Sequence, residues 1–157
     1  MTVEIENRSG REVDDQPRFA RLTAYVLDAM HVDPDTEVSL TFVDAKEMED
    51  LHVRWLGLEG PTDVMSFPMD ELVPGTPEAP SGPGLLGDVV LCPEVAAGQA
   101  AAAGHDVMEE MLLLTVHSLL HLLGYDHAEP AEEAEMFGLQ RRLLLGFLGS
   151  APAPGPS

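Results

Sequence analysis

The stretch VMEEMLLLTVHSLLHLLGYDH, residues 107–127, joins a helix-like apolar segment to three of the chain's six histidines. His117 and His121 are four residues apart, so on a helix they lie on one face with Cβ atoms about 5–6 Å apart. Gly124 follows and can adopt the left-handed conformation that ends a helix. The chain can therefore turn there and bring His127 back toward the other two imidazoles.

Three imidazoles in this arrangement indicate a metal site. A single histidine on an apolar helix is usually a hydrogen-bonded core residue, but two at this spacing each need a partner. As a set, three neutral nitrogens suit zinc best, ahead of nickel, copper and iron. Three protein ligands leave a fourth position for water, which is typical of catalytic zinc. We therefore predict one Zn²⁺ per chain, with His117, His121 and His127 as both its ligands and candidate catalytic residues.

The spacing of these histidines is also that of the metzincin metalloproteases. Those proteases have a glutamate after the first histidine, which acts as the general base. Here the residue is Ser118, and a serine hydroxyl does not take a proton from metal-bound water near neutral pH. The ligand pattern of a zinc hydrolase is thus present without the protease's base, which favours another substrate or a base elsewhere.

Four strands and four helices are predicted along the chain, and Pro68 within the third strand favours an edge position. The Pro- and Gly-rich segment 71–86 is predicted to be a flexible surface insertion. The predicted strands are TVEIEN, EVSLTFV, DVMSFPM and GDVVLC, and the helices begin near Pro17, Asp44, Val107 and Pro130. An alanine-rich segment opens at Pro93, after the fourth strand.

Length and composition indicate one soluble domain. The 157 residues are enough for a single core, which we place at residues 1–149, with a disordered tail at 150–157. The N-terminus lacks the pattern of a signal peptide, and no apolar stretch is long enough to span a bilayer. The single cysteine, Cys92, excludes an internal disulfide. We expect a cytoplasmic protein that does not bind a membrane.

The net charge of −20, from 28 acidic and 8 basic residues, weighs against non-specific nucleic-acid binding. Aromatic residues make up only 5% of the chain, so stacking platforms are also scarce. Both features disfavour strong independent binding to free nucleic acid.

Three segments resemble the YbeY family of bacterial endoribonucleases: TDVMSFP at 62–68, GDVVLCPE at 87–94 and HSLLHLLGYDH at 117–127. The resemblance covers about residues 36–145. Arg54 stands at the place of the family's arginine. The chain departs from the family's pattern in three places: Ser118 replaces a common glycine, His52 stands where many members have asparagine, and the 71–84 insertion is longer than usual.

The resemblance implies an α+β fold, with helices packed on a four-stranded mixed sheet and a metal-binding helix like that of zincins. It also implies a zinc-dependent endoribonuclease that prefers single strands and acts in 3′-end maturation of the small-subunit rRNA and in ribosome quality control. Expected partners are ribosomal RNA and the small ribosomal subunit, with ribosomal proteins or an assembly GTPase as further candidates.

Arg54 is the candidate catalytic residue outside the histidine motif, because a guanidinium can bind a phosphate through two hydrogen bonds. The alternative is a surface ion pair with an acidic neighbour on the same helix, namely Glu47, Glu49 or Asp50.

Several other residues have weaker assignments. Asp126 could orient a histidine or cap the turn after Gly124, and Tyr125 could pack under the site or stack on a base. Asp63 and Asp88 are predicted to be turn acids, and Ser66 could line a groove. Cys92 is expected to be an unreactive core residue. The histidines outside the motif are predicted to lie on the surface: His31, His52 and His105.

Two other functions remain open from the sequence. One is a zinc hydrolase of another class, a peptidase or a small-molecule hydrolase. The other is a non-enzymatic ribosome-assembly factor with a structural metal.

Overall fold

Nine elements follow one another along residues 2–150, the part of the chain that the computed structural model describes. The strands are β1 (Thr2–Asn7), β2 (Glu37–Phe42), β3 (Val64–Pro68) and β4 (Leu85–Leu91). The helices are α1 (Gln16–Ala29), α2 (Ala45–Leu56), α3 (Pro93–Ala103), α4 (Val107–Leu122) and α5 (Pro130–Ser150). The four strands and four helices that the sequence predicts are confirmed, and the alanine-rich segment that opens at Pro93 forms the fifth helix, α3. None of these helices combines the length and apolarity needed to cross a membrane. The single-domain prediction stays a prediction, and the predicted tail lies outside the described residues except for Ser150.

The four strands form one mixed sheet in the order β1-β2-β4-β3, which confirms the predicted fold class. β1, β2 and β4 are parallel, and β3 runs antiparallel to β4 at the edge. Pro68 ends β3 on this edge strand, where its missing N–H breaks no internal ladder.

Side chains of β4 alternate between two apolar clusters on opposite faces of the sheet. Val89 and Leu91 join the larger cluster, to which α1, α4 and α5 contribute. Val90 and Cys92 join the smaller cluster beside Met48 of α2. Cys92 is fully buried and its burial raises the pKa of the thiol, in agreement with an inert packing role.

A β-bulge at Gly87 sets the register between β2 and β4. Glu37 pairs with Leu85 and Val38 pairs with Gly87, so Leu86 is the extra residue. Gly87 has a φ of 145°, and a Cβ built there would lie 2.3 Å from the carbonyl oxygen of Phe67. Glycine is therefore required both by the backbone conformation and by the close approach of β3.

We predict that Gly87→Ala lowers the free energy of unfolding by roughly 1–3 kcal/mol, because it adds backbone strain and a clash with Phe67. Gly98→Ala is the matched control: this glycine is exposed on α3, and a Cβ there meets no atom within 4 Å. We expect the control to gain about 0.5–1 kcal/mol. Urea denaturation of both variants measures the difference, and equal midpoints would contradict the role assigned to Gly87.

Candidate metal centre

Helix α4 carries two of the three histidines through the interior of the protein. The Asp106 side chain caps its start by accepting a hydrogen bond from the Glu109 N–H at 2.8 Å. Ten of its sixteen residues are buried. His117 and His121 lie on one face and are only partly buried, so both imidazoles reach an opening in the structure.

A tight turn after α4 brings the third histidine back. The Gly124 N–H donates to the His121 carbonyl at 2.9 Å, and the Tyr125 N–H donates to the Leu120 carbonyl at 3.0 Å. Gly124 has a φ of 97°, which glycine adopts without strain. The Asp126 carboxylate accepts the N–H of His127 at 2.7 Å. Of the two roles considered for Asp126, the structure supports capping of the turn.

The three histidines meet, as their spacing predicts. One ring nitrogen from each lies within 4.8 Å of the other two, so the set could hold a metal ion. The Nε2 atoms of His117 and His121 are 3.1 Å apart. Two nitrogens that share a tetrahedral zinc ion at about 2.0–2.1 Å would lie roughly 3.3 Å apart. The donor set and this separation therefore fit zinc, and His127, which is exposed, leaves one side of the cluster open.

Gln140 of α5 is a site residue that the sequence analysis missed. Its side-chain oxygen accepts a hydrogen bond from Nδ1–H of His117 at 2.8 Å. This bond fixes the tautomer and leaves the lone pair of Nε2 directed at the other imidazoles. The only signal in the sequence is an amide in the apolar part of α5, and nothing in its spacing connects it with His117.

Burial favours the neutral form of two of the imidazoles. It lowers the pKa of His117 below the ordinary histidine value, against the hydrogen bond to Gln140, which raises this pKa, and the neighbouring His127 lowers it further. The pKa of His121 is also lowered, first by burial and then by the other two histidines. Neutral imidazoles have the free lone pair that a metal requires.

A groove of about 570 Å³ opens over His117 and His121, between the last turns of α2 and the edge strand β3. Ser66 lines it, as predicted, and its hydroxyl shares a 2.6 Å hydrogen bond with the hydroxyl of Ser118. Ser118 is fully buried and bonded toward β3. The position that carries glutamate in metzincins therefore contributes no base to this groove.

Two of the three histidines predicted to lie on the surface are partly buried, so that prediction was wrong for them. His52 lines the groove, and its Nδ1 is 2.9 Å from the Gly60 carbonyl oxygen. His105 pairs with Glu110 at 2.6 Å. His31 is exposed, as predicted.

The other assignments largely follow the predictions. Tyr125 packs against the larger apolar cluster. Asp63 accepts the Val64 N–H at 2.7 Å, as expected of a turn acid. Asp88 lies within β4 and not in a turn, where it accepts a hydrogen bond from the hydroxyl of Ser39.

Arg54 does not line the groove over the histidines. His52, Trp55 and Leu56 line the groove from α2, and Arg54 is not part of that lining. At about 100° per residue, Arg54 lies roughly 200° around the helix from His52. The alternative prediction, a surface ion pair with Glu47, Glu49 or Asp50, is wrong. Arg54 is exposed and forms no ion pair with any residue in the range 2–150. Its catalytic role stays a prediction.

Comparison with known proteins connects this site to a family. A protein-family model for Endoribonuclease YbeY matches residues 4–147. A protein named Endoribonuclease YbeY from Beutenbergia cavernae is 64% identical over 148 residues, covering 94% of this chain and 98% of the relative. Its namesake from Clavibacter sepedonicus is 60% identical over 147 residues, covering 94% and 95%. Another, from Mycolicibacterium smegmatis, is 57% identical over 146 residues, covering 92% and 82%.

The fold has a solved counterpart in the solution structure of TM1509 from Thermotoga maritima. The two chains align with a TM-score of 0.63 over 98% of this chain and 99% of the other, at 24% identity. This likeness supports the α+β architecture alone. The sequence matches extend over nearly the whole length and include the histidine cluster, and they show that the chain belongs to the Endoribonuclease YbeY family.

Proposed function

We propose that this protein is a zinc-dependent endoribonuclease that prefers single-stranded RNA and acts on ribosomal RNA. The observation that carries the proposal is the convergence of three imidazole nitrogens within 4.8 Å beside an open groove. Membership of a family of endoribonucleases supplies the reaction, hydrolysis of phosphodiester bonds within RNA.

Each residue of the site has a distinct part in the proposed mechanism. His117, His121 and His127 would hold the metal through neutral nitrogens, and Gln140 keeps the His117 ring in the required tautomer and orientation. A bound zinc ion would supply a water of lowered pKa and a Lewis acid for a phosphoryl oxygen. The groove walls formed by α2 and β3 position the RNA strand over the histidines.

The biological setting is the finer part of the proposal. We place the protein in the cytoplasm, in 3′-end maturation of the small-subunit rRNA and in ribosome quality control. Its net charge of −20 opposes strong binding to free RNA. We therefore expect the small ribosomal subunit to present the substrate, with ribosomal proteins or an assembly GTPase guiding the contact.

Two alternatives are less well supported. A metzincin-like peptidase needs a base after the first histidine, and Ser118 is buried and hydrogen-bonded to Ser66. A non-enzymatic assembly factor with a structural metal would have a closed ligand set, whereas His127 is exposed.

His121→Ala should abolish stoichiometric zinc and RNA cleavage together, because two imidazoles hold the ion much more weakly than three. The protein should stay folded, since the buried leucines of α4 are unchanged. His105→Ala is the control, because it removes a histidine outside the cluster. Elemental analysis and cleavage of a single-stranded rRNA fragment, with casein as a second substrate, provide the measurements.

Full zinc content in His121→Ala would remove this residue from the metal site. Hydrolysis of casein by the wild-type protein without cleavage of RNA would favour the peptidase.

Gln140→Ala should weaken zinc binding roughly 10- to 100-fold, because His117 loses the acceptor that orients its ring. Gln140→Glu keeps an acceptor at this position and should retain most of the affinity. Gln99→Ala, on the exposed face of α3, controls for loss of an amide elsewhere. Competition with a chromophoric chelator measures the affinity. Equal affinities for the wild type and Gln140→Ala would show that the hydrogen bond has no positioning role.

We assign Arg54 to phosphate binding beside the groove, since its guanidinium is exposed and has no ion-pair partner within residues 2–150. Arg54→Ala should leave zinc bound and raise KM by up to about tenfold, with a shallower salt dependence. Arg54→Lys should recover most of this loss. Arg11→Ala removes the same charge from the loop after β1 as a control. A fall in kcat of about 100-fold or more would instead place Arg54 in the transition state.

A further inference from the structure

Large apolar side chains are exposed where α2 ends beside the histidine groove. Trp55 is 60% exposed and Leu56 is 58% exposed, and Leu58 in the following loop is 53% exposed. Trp55 is the only tryptophan of the chain. An isolated exposed leucine is ordinary, but an exposed indole with two exposed leucines within three residues of it along the chain is a candidate binding surface.

The indole is held in place although it is exposed. The Phe67 ring of β3 meets Trp55 edge to face, with ring centroids 5.9 Å apart and an interplanar angle of 72°. The C-terminus of α2 is fixed by Gly57, whose N–H donates to the Val53 carbonyl at 3.0 Å. His52 ties the loop back to α2 through its 2.9 Å contact with the Gly60 carbonyl oxygen. An aromatic face that is already ordered loses little entropy when a ligand stacks on it.

Trp55 also forms a ridge between two grooves. It lines the histidine groove, and it lines a second groove of about 530 Å³ together with Ser39 and Thr41 of β2. Phe67 and Pro68 are common to both linings. A strand that passes from the histidines into the second groove must therefore cross the wall that Trp55, Phe67 and Pro68 share, and the indole is the largest side chain of that wall.

We propose that Trp55, supported by Phe67, is a stacking platform for one unpaired nucleobase of the RNA substrate, next to the phosphodiester bond held over the histidines. This inference rests on the proposed function. Stacking is tolerant of sequence and needs no positive charge, so it suits a chain of net charge −20. Arg8, the cation in the lining of the second groove, is already bound by Glu6 and Glu47.

The platform also gives a physical reason for a preference for single strands. In a duplex, both faces of each base are covered by its neighbours in the stack. An unpaired base can rotate out and place one face on the indole at little cost. The preference would then come from an exposed ring and not from a narrow cleft.

The fluorescence of Trp55 tests the platform directly, because no other tryptophan contributes to the signal. The zinc-loaded protein is titrated with a single-stranded 2′-O-methyl oligoribonucleotide and with the blunt-ended duplex of the same strand and its complement. We expect saturable quenching by the single strand and much weaker quenching by the duplex. A single strand with an abasic position at the contact should quench less than the intact strand.

Variants separate stacking from folding. Trp55→Ala should raise KM for single-stranded RNA roughly tenfold or more, with zinc content unchanged, and Trp55→Phe should recover most of the affinity. Leu145→Ala, which trims another exposed apolar side chain (60% exposed) on α5, should have no effect. The fluorescence titration of the wild type decides the proposal even if Trp55→Ala fails to fold.

The outcomes also separate this inference from the proposed function. Cleavage of RNA with no change in Trp55 emission would overturn the platform and leave the nuclease intact. Emission that responds to protein concentration or to a protein partner, and not to RNA, would make the patch a protein interface and overturn the platform as well. Saturable quenching by RNA without any cleavage would support the platform while contradicting the enzymatic proposal.

Discussion

The burial of α4 is the constraint on which the rest of the structure depends. This helix packs against β3 and β4 of the sheet and against α1, α3 and α5. With ten buried residues, it has one partly open side, and His117 and His121 lie there. A partly buried imidazole needs a partner for its ring nitrogens, either a hydrogen-bonding group or a metal ion. Gln140 is the hydrogen-bonding partner of His117. The three ring nitrogens that face one another are placed so that they could hold a metal ion.

An acidic protein and RNA repel each other, because both carry net negative charge. The chain has 28 acidic residues, and Arg8 at the second groove is neutralised by glutamates. Under the proposed function, attraction for RNA would come from local features: a metal ion held by the histidines, the exposed indole of Trp55, and the guanidinium of Arg54, which has no ion-pair partner within residues 2–150. Such features act over short distances, so they would contribute only once the substrate is at the groove.

The sequence predicted what depends on local spacing and missed what depends on packing. The strands, the cap at Asp44 and the end of α4 at Gly124 follow from residues close together in the chain, and the histidine cluster needs only one helical turn and one glycine. Contacts between residues far apart in the chain leave no comparable spacing pattern in the sequence. The Gln140–His117 bond joins residues 23 positions apart, and Ser66 and Ser118 are 52 apart. The placement of Arg54 is a different case, because helical spacing alone puts Arg54 roughly 200° around α2 from His52, which lines the groove.

The bond between His117 and Gln140 ties the metal site to the last helix of the chain. Gln140 lies in α5, which begins only after all three histidines have been synthesised. During translation, the imidazoles therefore emerge before the acceptor that orients one of them. A nascent or truncated chain that ends before α5 would present the three histidines without a fixed tautomer at His117. Completion of the cluster as the structure shows it therefore requires α5, the last helix within the described residues.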